Sequence, residues 1–165
     1  MIIGSFDDVS IFVDEPYDEE DYYNEFNKEE ILKYTSLDFP LKIKNLSTQK
    51  IYSEPNEKRF IFKIKNKIIG ACDLYSIEKN HKAKIRFWIG TDFQGKGIAS
   101  RAAKLILEYA FKELKLVRIE ARALTENIGS WKTLEKIGFE REGTVRKANK
   151  KGDEYIDDYI YSVVR

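Results

Sequence analysis

The chain has 165 residues, enough for one domain to bury an apolar core without metal or disulfide staples, and its 42% hydrophobic content, with 10 Phe, 10 Tyr and 2 Trp, excludes a disordered chain. No apolar run approaches the roughly 18 to 20 residues that cross a bilayer, and no basic segment leads into a long apolar stretch, so a cytoplasmic protein with no membrane role is expected. Net charge is +1, yet residues 1–40 hold 12 acids against Lys28 and Lys33 while the remainder holds 27 bases against 16 acids, dispersed with no nucleic-acid-binding module.

In chain order, Val9 to Val13 (VSIFV) reads as a strand, and Pro16 then opens an acidic helical stretch through Phe26. A second short helix follows Asn27, a residue able to cap KEEILKY. Leu41 to Glu54, bracketed by Pro40 and Pro55, carries no assignable pattern. Arg59 to Ile64 and Lys67 to Ile77 form a hairpin about Lys65-Asn66, and Ala83 to Gly90 adds a third antiparallel strand. Within that hairpin Cys72 reads as a small core residue, while His81 sits in a polar turn without a visible partner. Neither a thiol nucleophile nor a metal centre is therefore expected.

The period then changes. Ile98, Ala102, Leu105, Ile106 and Tyr109 fall on one face of an amphipathic helix, and Val117 to Leu124 is a strand that should pair in parallel with the strand before the helix. Asn127 caps a helix over Ile128 to Ile137, Gly138 ends it, and Phe139 to Arg146 with Tyr155 to Val164 closes the chain as an antiparallel pair. The expected fold is a single mixed α/β domain.

FWIGTDFQGKGIASRA runs from strand through a glycine loop into a helix, so Gly95 and Gly97 allow close backbone approach and the first helical turn offers free N–H groups to an anion such as a diphosphate. A dinucleotide fingerprint lacks its third glycine here, and a nucleoside-triphosphate loop fails where Gly97 replaces the magnesium-binding hydroxyl. Gln94-Gly95-Lys96-Gly97-Ile98-Ala99 instead resembles the Q/R-x-x-G-x-G/A signature of GNAT acetyltransferases, and Glu126 to Arg146 is similar to the N-x-x-S, E-K-x-G-F, x-E-G segment of the ribosomal-protein-alanine N-acetyltransferase branch. Taken singly, these residues also read as loop glycines, an N-cap and a helix stop. The likeness runs from about Arg59 to the C-terminus and is poor over the first fifty residues.

The resemblance implies a GNAT-like domain whose central, mostly antiparallel sheet holds one parallel, splayed strand pair. Residues 1–57 would form the acceptor side and 58–165 the acetyl-CoA-binding core and C-terminal hairpin. It implies acetyl-CoA as cosubstrate, held by Gln94, Gly95, Lys96, Gly97, Ile98 and Ala99 at the diphosphate, by Phe87, Trp88 and Ile89 along the pantetheine, and by Asn127 and Ser130 near the sulfur. An amide near Ile89 would polarise the thioester carbonyl. Leu134 stands where many relatives carry an acidic tyrosine, so Ser130 is the expected partner of the leaving thiolate. Glu120 and Asp73, on strands beside the site, are the candidate bases. The expected acceptor is a primary amine, foremost a protein N-terminal α-amine, with a polyamine, aminoglycoside or lysine as alternatives and a non-catalytic coenzyme A sensor as another class. The acidic stretch Asp18 to Phe26 is expected to draw a cationic acceptor, and the protein to act as a monomer or homodimer.

Overall fold

The computed structural model describes residues 1–35, 37–41 and 56–165; apart from Leu41, the segment left unassigned above lies outside the described residues. The elements run β1 (Ile2–Phe6), β2 (Val9–Val13), α1 (Glu19–Phe26), α2 (Glu29–Leu32), β3 (Lys58–Ile64), β4 (Lys67–Tyr75), β5 (Lys82–Ile89), α3 (Ile98–Lys112), β6 (Arg118–Leu124), α4 (Ile128–Lys136), β7 (Glu140–Lys151) and β8 (Glu154–Val164). The strands make one sheet in the order β1-β2-β3-β4-β5-β6-β8-β7. All neighbours are antiparallel except β5 and β6.

Side-chain alternation assigns the two faces of the sheet. Phe60, Phe62, Cys72, Leu74, Ile85, Ile119 and Ala121 point to the face covered by α3, where Ala102, Ala103, Ile106 and Ala110 complete the main core. Ile61, Ile68 and Ala71 point the other way, under Tyr22 and Phe26 of α1 and Ile31 and Leu32 of α2. With both faces covered, β4 is buried along almost its whole length and shows no polar alternation.

The parallel pair runs only from Lys82↔Arg118 to Ile85↔Ala121. Beyond it, Arg86 to Ile89 stay paired with β4 while Arg122 to Leu124 follow β8, so the sheet opens between them. This is the splay expected between the strands flanking α3.

Four details differ from the sequence reading. Residues 2–6 form an unexpected edge strand, paired with β2 across a turn in which Asp7 takes φ 49°. Helix α1 begins at Glu19, not Pro16, because Asp18 accepts a hydrogen bond from the Asp21 amide (2.9 Å) and serves as its cap. Asn27 closes α1 instead of opening α2: its amide donates to Tyr23 Oη (2.8 Å) and its Oδ1 accepts from Leu41 N (2.8 Å). Strand β7 continues five residues past Arg146, to Lys151, through register shifts between Val145 and Asn149.

Candidate active site

Two clefts meet at the splay. The larger, about 450 Å3, lies at the N-termini of α3 and α4 and is walled by Ile89, Gln94, Gly95, the first turn of α3 from Gly97 to Ser100, Gly129, Thr133 and Lys136. The smaller, about 210 Å3, opens on the face carrying α1 and is walled by Phe26, Ala71, Asp73, Arg86, Arg122, Asn149 and Asp158. Tyr34, Thr35, Phe87, Trp88, Asn127 and Ser130 line both. They form the passage between the two faces.

The loop entering α3 is a built anion cradle. Gly95 (φ +74°) and Gly97 (φ +73°) hold left-handed conformations that an L side chain rarely adopts. The first α-helical bond of α3 is that of Arg101 N to Gly97 O (3.1 Å), so the amides of Ile98, Ala99 and Ser100 precede the intrahelical ladder. Ser100 turns its hydroxyl back onto Gly97 O (2.9 Å), which tightens the turn. Gln94 spans the loop, its Nε2 donating to Ile89 O (2.9 Å), and thereby ties the cradle to the end of β5. Lys96 is not among the residues walling the cleft: its ammonium donates to Asp92 O (2.9 Å). The cation of that wall is Lys136, on the last turn of α4.

Helix α4 aims its first turn at the passage. Asn127 caps it, Oδ1 accepting from Ser130 N (3.2 Å), and Gly138 (φ +99°) ends it as the sequence implied. Only the amide of Ser130 enters the cap; among the described residues no hydrogen bond ties its hydroxyl, which is left for a ligand in the passage. Phe87 faces the same space. Trp88 is turned towards α1, its Nε1 donating to Tyr22 Oη (3.1 Å) and its indole packed against Tyr22 and Phe26. Burial pushes the Tyr22 phenol well above its ordinary value, so that hydroxyl keeps its proton.

The two candidate bases fare differently. Asp73 lines the smaller cleft but accepts from Arg59 Nε (2.7 Å) and Nη2 (3.1 Å) and from Arg86 Nε (3.0 Å). It anchors two guanidinium groups, and both of its oxygens are engaged by them. Glu120 is not brought to either cleft: it stands where β5 and β6 are still paired and accepts from Arg118 Nε (2.8 Å). Of the acids of the Asp18 to Phe26 stretch, Asp21 accepts from Ile68 N (2.8 Å) and Glu25 from Lys28 Nζ (2.9 Å), while Glu19 and Glu20 are exposed and are not among the residues walling either cleft. Phe26 is the residue of that stretch in the smaller cleft.

Sequence reasoning missed Asp158. It lies on β8 opposite Leu124 and Val145, is 6% exposed, and accepts from Asn149 Nδ2 (2.6 Å). Burial raises its carboxyl from the ordinary carboxylate value, while the Asn149 hydrogen bond and the charge of Arg122 pull it back. The available signal was an acid standing between Ile156 and Ile160 at alternate positions of one strand face. The cleft wall at Tyr34 and Thr35 was missed too; it is held from across the chain by Lys151, whose ammonium donates to Leu32 O (2.7 Å) and Thr35 O (3.3 Å).

Comparison with known proteins agrees with this arrangement. Residues 13–140 match the acetyltransferase (GNAT) domain family. The uncharacterized N-acetyltransferase YnaD of Bacillus subtilis (strain 168) is 41% identical over 97 residues, 59% of this chain and 57% of its own. The putative ribosomal N-acetyltransferase YdaF of the same organism is 34% identical over 99 residues (59% and 54%). The spermidine N(1)-acetyltransferase of Escherichia coli (strain K12) is 33% identical over 91 (54% and 49%). The chain thus spans about half the length of these curated relatives. A solved structure, the microcin C7 self-immunity acetyltransferase MccE in complex with acetyl-CoA and AMP, superposes with a TM-score of 0.82 at 25% identity, covering 97% of this chain and 94% of that one. Among the described residues no cluster of His, Cys, Asp or Glu is placed to hold a metal ion, and no helix is long and apolar enough to cross a membrane.

Proposed function

The chain belongs to the GNAT acetyltransferase family, and from that premise we propose that it transfers an acetyl group from acetyl-coenzyme A to a primary amine. The observation that carries the reading is the meeting of the two clefts at Phe87, Asn127 and Ser130, with an anion cradle at one end and an acceptor-sized opening at the other. In this reading residues 1–57 supply the acceptor side and 58–165 the cosubstrate core.

The cradle amides of Gly97, Ile98 and Ala99 hold the diphosphate, and Lys136 adds a positive charge to the same cleft. The exposed edge of β5 past Ile85 receives the pantetheine as a further strand would be received. The thioester oxygen accepts hydrogen bonds, so the β5 group that polarises it is a backbone amide near Ile89, while the Ile89 carbonyl accepts from Gln94. Ser130, at the positive end of α4, donates to the sulfur as the carbon–sulfur bond breaks.

The acceptor we favour is an α-amine at a chain terminus. Its pKa of roughly 8 leaves it partly neutral near pH 7, whereas a lysine or polyamine amine near 10.4 demands a stronger base than this cleft offers. Titration with coenzyme A followed by thiol release from acetyl-CoA across a panel of amines tests the reading. Heat on titration together with amine-dependent thiol release is expected. Coenzyme A binding with no release for any amine would leave a binding protein and overturn the catalytic claim.

A further inference from the structure

The charges in the acceptor-side cleft do not balance in the way a cationic acceptor requires. Arg59 and Arg86 are met by Asp73 and Glu57, at 2.7 Å and 3.1 Å from Arg59 and at 3.0 Å and 3.5 Å from Arg86, so the charges of these four offset one another. Among the described residues two charges of the wall remain, Asp158 and Arg122. They sit on neighbouring strands, Asp158 opposite Leu124 and Arg122 opposite Ile160, and so share the sheet face that carries the cleft. Arg122 is exposed and Asp158 buried, and the guanidinium acts on the carboxyl through space, yet no ion pair joins the two. One anion and one cation are therefore held apart on one wall.

A polyamine site needs several acids, but of the α1 acids Asp21 and Glu25 are engaged elsewhere and the exposed Glu19 and Glu20 are not among the residues walling this cleft. We propose that the acceptor bears a carboxylate close to its reacting α-amine, with Asp158 holding the ammonium and taking its proton and Arg122 gripping the carboxylate. This inference rests on the acetyl transfer proposed for the same site. A guanidinium meets a carboxylate with two parallel hydrogen bonds, which fixes the amine as well as binding the acid. Asp158 has the second oxygen for the task, since Asn149 engages Oδ1. The proton balance is complete: one proton passes from the ammonium to Asp158 and on to solvent. The nitrogen–carbon bond forms as the carbon–sulfur bond breaks, and the second nitrogen-bound proton ends on the departing sulfur.

The same chemistry can come from a free α-amino acid or from a peptide whose first or second residue is acidic. Thiol release is measured with alanine, alanine amide, the peptides Ala-Asp-Ala amide and Ala-Lys-Ala amide, and spermidine. Alanine or the Ala-Asp peptide is expected to exceed its uncharged or basic counterpart by roughly tenfold in kcat/KM, and whichever pair shows the gap identifies the source. Arg122→Gln should bring the two members of that pair level, and Asp158→Asn should cut kcat by roughly 100-fold while coenzyme A titration stays as in the parent. Equal rates with and without the carboxylate, a preference for spermidine, or a gap that survives Arg122→Gln overturns the inference. Failure of the acetyltransferase reading looks different: no coenzyme A heat and no thiol release from any acceptor.

Discussion

Gly70→Ala tests whether the end of β5 depends on close backbone contact with β4. Gly70 pairs with Phe62 on one side and Ile89 on the other, and a Cβ built there lies 2.6 Å from Trp88 O, 2.9 Å from Ile89 Cδ1 and 3.1 Å from Phe62 Cδ2. The first of these is backbone and cannot rotate away. An ordinary carbon–oxygen contact is several tenths of an ångström longer, so the methyl must push β5 outward at Trp88 and Ile89, the residues that meet both the cradle and α1. Overpacking of this kind costs about 1–3 kcal/mol, which for a chain of this size lowers Tm by roughly 3–9 °C. Thermal unfolding followed by circular dichroism reads the stability, and coenzyme A titration reads the site. The coenzyme affinity should fall along with Tm, since Gln94 is tied to Ile89 O. A Tm within about a degree of the parent, with unchanged affinity, would refute the argument that this contact sets the splay.

Other changes separate chemistry from scaffold. Ser130→Ala should keep coenzyme A affinity and lower kcat roughly 10- to 100-fold, measured by steady-state thiol release; unchanged turnover removes Ser130 from the mechanism. Asp73→Ala removes the two-point partner of Arg59, which keeps Glu57 at 3.1 Å, and should cost about 1.5–3 kcal/mol by denaturant unfolding. Glu108, held down to about 2 by Arg165 and Lys112, and Glu142, held down to about 2 by Arg118 and Ser162, have depressed folded-state values. Their contributions are present above the unfolded value of roughly 4.3 and are lost as pH falls through the folded one. The deficit of Glu108→Gln and Glu142→Gln in Tm should therefore shrink between about pH 4 and 2, and a deficit independent of pH contradicts the assignment.

What was legible in the sequence was whatever the local backbone demands. The cradle could be read because glycine takes the positive φ at Gly95 and Gly97 with least strain, and α3 because its apolar period is set by one packed face. The cap at Asn127 and the stop at Gly138 are likewise local. Asn27 misled because its type suits either end of a helix, and its actual role is fixed by Leu41, fourteen residues away. Glu120 and Asp73 could not be told apart by type; their difference lies in guanidinium partners brought by sheet register, Arg118 on the same strand and Arg59 and Arg86 on neighbouring ones. The short edge strand Ile2–Phe6 was hidden because its half-exposed residues show no clean alternation.

Asp158 combines these lessons, since a group placed for function by distant partners should be a poor choice for stability. Asn149 on β7 and Arg122 on β6 face it favourably, and Asp157 beside it does not, but burial outweighs them and raises its carboxyl. A carboxyl whose folded value lies above its unfolded one costs stability as it ionises, so the parent loses stability as pH rises from about 4 through the raised value. Asp158→Asn removes that cost while keeping a side chain of the same shape beside Asn149. The variant should therefore gain stability on the parent as pH rises through this window, with no pH-dependent gain below it, even though its turnover falls. Denaturant midpoints of both proteins from pH 3 to 8 measure the difference. A gap that stays constant, or that favours the parent increasingly at high pH, would mean that the folded site stabilises the ionised form, and Asp158 would then be an ion-pair anchor like Asp73 and not a base.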